Sequence, residues 1–271
     1  MIDGLINQHT IDAITDFQKS VVKMTNPDSR INASGNTLKT LVKTSGFKPS
    51  TTLTTALGLI RSDKFITLYN KQYFPLAPAH QKGLTDLLGY VSTDKDITDI
   101  RWAAYMLATT MHETDRKWLP VEEIRKGGTR KYAQEIEVTD KVGKKYKNSY
   151  YGRGYVQLTW EENYKKLGKA IGMGDDLRLY PEKALEPDVA YKIMSYGMRN
   201  GSFSGKKLAD YIAGTSADYF HARRIINLLD KAQLIQGFAE TLEQLLRLSQ
   251  NQPKQSKYVV QSTPTANVCF A

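Results

Sequence analysis

Two stretches of this chain carry side chains able to move protons and to hold a ligand by hydrogen bonds and ring contacts. Glu113 stands in Ala108-Thr109-Thr110-Met111-His112-Glu113-Thr114, and downstream the chain reads Tyr150-Tyr151-Gly152-Arg153-Gly154-Tyr155-Val156-Gln157-Leu158-Thr159-Trp160. A carboxyl group can donate or accept a proton at a glycosidic oxygen. Amides and hydroxyls such as Gln157 and Thr159 both donate and accept, which matches sugar hydroxyls and N-acetyl groups, and Tyr151 or Tyr155 could stack on a pyranose face. Gly152 and Gly154 flank Arg153 and permit a close turn. Beyond that turn Tyr155, Gln157 and Thr159 alternate with Val156, Leu158 and Trp160, so an extended segment would separate a hydrogen-bonding face from an apolar one. A zinc-binding HExxH pattern is excluded, because position 116 is Arg.

The second stretch, continuing to Asn163-Tyr164, resembles the signature segment of family-19 glycoside hydrolases, the chitinase-like enzymes that include many phage endolysins. The stretch ending in His112-Glu113-Thr114 resembles that family's helix end bearing the catalytic acid. A third, Ala222-Arg223-Arg224-Ile225-Ile226-Asn227, is similar to its late substrate-binding segment. The three follow in the family's order over roughly residues 84 to 248. Within the family the chain looks closest to phage or prophage lysozymes acting on peptidoglycan.

The resemblance implies a mainly α, lysozyme-like α+β fold: a bilobed helical catalytic domain with a small strand segment, preceded by a small N-terminal helical unit. It implies hydrolysis of the N-acetylmuramic acid to N-acetylglucosamine bond by inversion, with no metal or organic cofactor. That reaction uses one protonated and one ionised carboxyl about 6.5 to 9.5 Å apart. Glu113 is the implied acid, and apolar neighbours at a helix end would help it keep its proton. For the second carboxylate Glu122 is favoured, then Glu123, since Pro120-Val121-Glu122-Glu123-Ile124 resembles the bacterial and phage branch. Glu135 has the spacing of the plant branch in a poorly matching context; the residues not used fit solvated surface charge. Thr159 falls at the hydroxyl that holds the attacking water, and equally at a helix cap. Gln157 and Asn163 match sugar-binding amides, as does Asn227, although Leu228 replaces the glycine common after it. Tyr151 is assigned to sugar stacking. Arg153 suits a catalytic carboxylate, a substrate contact or a structural salt bridge. His112 suits a supporting substrate-side hydrogen bond or a structural role. The rivals are a chitinase acting by the same mechanism and a non-catalytic wall-binding protein that retains the fold.

Composition is compatible with this. The formal charge of +10 favours an anionic partner, and bacterial walls are anionic. No nucleic-acid-binding motif is present. No apolar run reaches the length of a membrane span, and Met1-Ile2-Asp3-Gly4 does not begin a secretory leader. The expectation is a monomer, made in the cytoplasm, that reaches the wall by holin-type release or dedicated secretion, as either a phage endolysin or an antibacterial effector. The lone cysteine, Cys269, excludes an intramolecular disulfide. Between Ile124 and Ser149 eight Lys or Arg face three Asp or Glu, suggesting a solvated, mobile loop beside the site.

The positioning elements follow from periodicity. Ile11, Ile14, Phe17, Gln18 and Val21 predict a helix, and Leu38, Leu41 and Val42 begin a second apolar face. Residues 1–45 resemble a truncated peptidoglycan-binding module, with an N-terminal cap that binds nothing as the alternative. Residues 46–80 read as linker and connecting segment, 81–249 as the catalytic domain and 250–271 as a flexible tail. Leu84, Leu87, Leu88 and Val91 predict one helix before a break at Ser92-Thr93-Asp94. Ile100, Ala104, Leu107 and Met111 predict the next, capped by Asp96 or Thr98, with Trp102, Tyr105, Thr109 and Glu113 on another face. Thr159-Trp160-Glu161-Glu162 fits a capping box opening a helix to Ala170. Helices are also expected from Pro187 to Arg199 before Gly201, and from Lys231 to Leu248.

Removing residues 1–45 is expected to leave cleavage of small soluble glycan fragments intact while weakening activity on intact sacculi, because a tethered binding unit acts through local concentration. Parallel assays on the two substrates check this; equal loss on both would identify the segment as an integral cap.

Overall fold

The computed structural model describes residues 8–27, 40 and 60–250. Its centre is a helix that can be approached from all sides. Ile100–Glu113 carries Ala103, Ala104, Met106, Leu107, Ala108 and Met111, all fully buried. The alanines leave room for Ala232–Ser249, which lies against it with Ile235, Ala239, Leu242 and Leu246 inward at the i, i+4, i+7 spacing of one helical face. The expected second face of the central helix is not a polar one. Tyr105 and Thr109 are completely buried, and Tyr105 stacks on Tyr219 with ring centroids 6.0 Å apart.

That helix begins at neither of the expected caps. Asp99 occupies the position, and its carboxylate accepts from the Arg101 amide at 2.9 Å. Asp99 has the extended backbone a cap requires. Asp96 instead pairs with Arg199 at 2.9 Å. The neighbouring helices Pro78–Thr93, Pro187–Asn200 and Ala232–Ser249 appear where periodicity placed them, the second stopping at Gly201 in the left-handed conformation. Gln8–Ser20 forms the first predicted helix. The second apolar face at Leu38, Leu41 and Val42, residues 46–59 of the expected linker and connecting segment, Cys269 and residues 251–271 lie outside the described residues.

The segment assigned to a connection before Gln81 is largely core. Ser62–Gln72 is helical and buries Phe65, Ile66 and Tyr69. Tyr69 meets the Trp118 ring edge-on at 5.6 Å, and the Trp118 indole donates to its hydroxyl at 3.3 Å. The Arg61 amide reaches the Ser249 carbonyl at 2.9 Å, so this segment and the last helix close on each other. Pro78 is the first residue of a helix, where its missing N–H costs nothing.

Strand is scarce: among the described residues there are three antiparallel two-stranded ladders. They pair Val121–Glu122 with Arg153–Gly154, Ile136–Thr139 with Lys145–Asn148, and Ile212–Ala213 with Ser216–Ala217. The mainly helical class holds, but the alternating strand expected over Tyr155 to Thr159 does not. Gly154 at φ 88° and Gln157 at φ 54° reverse the chain, so that Leu158 bonds back to Arg153 and Tyr155 and Val156 are both buried. A Cβ at Gly154 would stand 2.9 Å from the Ala184 carbonyl oxygen, so close approach and positive φ both demand glycine. The basic stretch after Ile124 is also more ordered than expected. Its hairpin is pinned by the Asn148 amide, which donates to the carbonyls of Arg178 and Leu179 at 3.1 and 3.0 Å.

No helix among the described residues is long and apolar enough to cross a membrane. Phe65→Ala is expected to destabilise the domain by about 3–5 kcal/mol through cavity formation. Urea unfolding measures this, and an unchanged midpoint would place the Ser62–Gln72 helix outside the cooperative unit.

Candidate active site

Glu113 is the last residue of the central helix, and the chain leaves it through backbone that L-residues rarely adopt: φ is 49° at Asp115, 60° at Arg116 and 59° at Trp118. Two features hold this turn. The Thr114 hydroxyl donates to the Thr110 carbonyl and accepts from the Trp118 amide, and the Trp118 side chain is fully buried. Side-chain orientation at the helix end is therefore set by the core.

The Glu113 carboxylate accepts from the Arg223 guanidinium at 2.9 Å. Arg223 is only 2% exposed, and its Nε donates to the Asp230 carbonyl at 2.9 Å. The sequence reading expected an apolar environment for Glu113 and did not single out Arg223. The only signal was its place within Ala222 to Asn227, where nothing in the spacing distinguishes Arg223 from Arg224.

Glu113 lies where two cavities meet. One, of about 690 Å³, is lined by Glu122, Glu123, Lys117 and Arg125 among others; the second, of about 310 Å³, by Thr159, Asn163, Phe203 and Asn227. Gln157 also faces both, with its amide donating to the Val121 carbonyl at 3.1 Å. Trp160 and Asn163 carry the groove on into a third hollow of about 520 Å³, walled by Tyr132 and Tyr150. The lining is polar on one side of Glu113, and aromatic rings stand farther along.

The two adjacent glutamates differ in how they are held. Glu123 accepts from the Tyr132 hydroxyl at 2.8 Å, the Gly152 amide at 2.9 Å and the Arg130 guanidinium. Glu122 is exposed and accepts from the Tyr151 hydroxyl at 2.7 Å. Burial first, then the Glu122 carboxylate, push the Tyr151 phenol up, so it stays a proton donor. Glu135 lies on the hairpin beside Lys147 at 3.9 Å and lines none of these cavities.

Several sequence-predicted residues stand elsewhere. Tyr151 and Tyr155 are 4% and 1% exposed, so neither offers a face to a sugar; Tyr132 and Trp160, unassigned in the sequence reading, are the aromatic pair in the groove, their rings 5.4 Å apart. Arg153 meets no carboxylate. It lies 3.6 Å from the Tyr151 ring centroid and donates to the Tyr164 hydroxyl and the Ser149 carbonyl, each at 3.0 Å. His112 is half-buried and does not line the cleft. The capping box is absent. Trp160, at φ 70°, is the residue before the helix Glu161–Ala170, and no side chain caps it. Asn163 donates to the Thr159 carbonyl at 2.9 Å, and Thr159 lines the cavity beside Glu113.

Residues 76–196 match the model of glycosyl hydrolase family 19, described as chitinase class I. Among curated proteins, an acidic endochitinase of Solanum chilense is 29% identical over 112 residues, covering 38% of this chain and 37% of the relative. An acidic 26 kDa endochitinase of Solanum lycopersicum is 36% identical over 62 residues, covering 22% and 21% respectively. The chain thus spans little more than a third and a fifth of these relatives. Among solved structures, chitinase C from Streptomyces griseus is 24% identical with a TM-score of 0.43, covering 70% of this chain and 92% of that one. A bacterial family 19 chitinase is 21% identical with a TM-score of 0.41, covering 69% and 95%. The matched region, which holds Glu113, Glu122, Glu123 and Thr159, is similar to family-19, chitinase-like glycoside hydrolases.

Glu123→Gln is expected to lower stability by about 1–2 kcal/mol, since it weakens a charge-assisted network that joins the cleft wall to the Gly152 turn. Glu122→Gln should change stability by less than about 0.5 kcal/mol. Urea unfolding of both variants tests the contrast, and the reverse order would exchange their roles.

Proposed function

We propose that this chain hydrolyses the glycosidic bond between N-acetylated amino sugars by inversion, and that its substrate is bacterial peptidoglycan, cleaved after N-acetylmuramic acid. The observation that carries the reading is the position of Glu113 at the junction of two cavities, one bearing an exposed carboxylate and the other hydroxyl and amide groups. In this reading Glu113 gives its proton to the leaving glycosidic oxygen, and Arg223 stabilises the resulting carboxylate. Glu122 takes a proton from a water molecule whose oxygen attacks the anomeric carbon from the opposite face. Its single side-chain hydrogen bond, from Tyr151, leaves acceptor capacity for that water, whereas Glu123 is occupied by three donors. Thr159 holds the water, while Gln157, Asn163 and Asn227 bind hydroxyl and N-acetyl groups.

The net charge of +10 and the N-terminal resemblance to a wall-binding module support the peptidoglycan reading, under which the enzyme acts at the bacterial cell wall. A chitin substrate is the second reading, favoured by the endochitinases that the chain resembles.

Mass spectrometry of digested sacculi separates these readings. Reducing-end muramic acid is expected; reducing-end glucosamine would redirect the assignment to a glucosaminidase, and turnover of chitin oligosaccharides alone would establish a chitinase. Glu113→Gln is expected to reduce turnover at least about 10²-fold with the fold intact. A well-folded variant with near wild-type turnover would remove Glu113 from the mechanism.

A further inference from the structure

The larger cavity beside Glu113 displays two cations whose side chains have no hydrogen-bonding or ion-pair partner among the described residues, Lys117 and Arg125. The third cation on that wall, Arg130, is committed to Glu123. Asp115 and Glu122 share the wall, but neither forms an ion pair with Lys117 or Arg125. Both cations are exposed, as a group waiting for a ligand must be.

Their backbone makes this more than incidental surface charge. Lys117 stands within the turn that has positive φ at Asp115, Arg116 and Trp118 and is anchored by the buried Trp118 ring. Arg125 opens a second such turn: φ is 53° at Arg125, 51° at Lys126, 77° at Gly127 and 58° at Gly128. Non-glycine residues held there cost about 1–3 kcal/mol each and persist only where their surroundings over-determine them. Here Glu123 clamps the second turn from Arg130 and Gly152, and a Cβ on Gly127 would come within 2.8 Å of the Ala133 Cβ. Two rigid turns, one following each candidate catalytic carboxylate in sequence, therefore present one cation each to the same cavity.

We propose that Lys117 and Arg125 bind substrate carboxylates: those of the stem peptide on a muramyl sugar, or the free lactyl carboxylate where that sugar carries no peptide. This inference rests on the peptidoglycan reading and assigns its specificity. Poly-N-acetylglucosamine has an acetamide and hydroxyls at every ring but no anion, so the two cations gain nothing from it. Guanidinium and ammonium groups discriminate by charge, and arginine can engage a carboxylate through two parallel hydrogen bonds.

The test compares soluble wall fragments carrying free carboxylates with the same fragments after carbodiimide coupling to ammonia, which turns each carboxylate into a neutral carboxamide. For the double variant Lys117→Gln with Arg125→Gln, the ratio of kcat/KM on anionic to amidated fragments is expected to fall between about threefold and thirtyfold, mainly through KM. Arg125→Lys alone should keep most of the ratio, because the charge remains. A double variant that loses activity equally on both forms would overturn the inference and leave the peptidoglycan reading standing. Wild-type protein that cleaves chitin oligosaccharides but neither form of wall fragment would overturn that reading, and this inference with it.

Discussion

The ion pair between Glu113 and Arg223 is the constraint around which the cleft is arranged. It joins the end of the central helix to a segment 110 residues away, and Arg223 is in turn tied to the Asp230 carbonyl. A buried guanidinium is tolerable only when its charge and its donors are met. Meeting them fixes the stretch that also carries Ile226 and Asn227 into the groove. The core supplies the other half of the arrangement: the alanine-rich surface of the central helix admits the last helix closely, and Trp118, locked against Tyr69, fixes how the chain departs from Glu113.

Backbone strain is concentrated where the cleft is built. Asp115, Arg116 and Trp118 lie on one turn, Arg125 and Lys126 on another, and Gln157, Trp160 and Leu228 adjoin or line the remaining wall, all with positive φ. Each turn is held by a buried ring, a glycine contact or a clustered set of hydrogen bonds. Strain stored in this way gives rigid presentation of polar groups, since relaxing any one turn would break the contacts that maintain it.

The long helices were legible because their apolar residues recur at helical spacing and their ends carry proline or glycine, as from Pro187 to Gly201. Short elements were not. The alternation from Tyr155 to Trp160 imitates a strand, yet Gly154 and Gln157 turn the chain back before a strand can form, a conformational choice that polarity does not encode. The helix Ser62–Gln72 was missed because its apolar face is brief and two prolines follow. Glu113, Gln157, Thr159, Asn163 and Asn227 do meet at one groove. Arg153, equally prominent in the sequence, is spent on Tyr151 and Tyr164 beneath it, and Tyr151 offers the groove no ring face, only a hydroxyl that goes to Glu122. Whether a polar side chain faces a cleft or satisfies a buried neighbour depends on tertiary contacts that one sequence does not display. Arg223, silent in the sequence, shows the converse.

Glu113 ends a helix of the core, whereas Glu122 ends a two-residue ladder rung opposite Arg153, and only a short, internally braced turn lies between them in the chain. The relative placement of these two carboxylates therefore passes through one turn of covalent chain, braced by the Thr114 hydroxyl and the buried Trp118 ring.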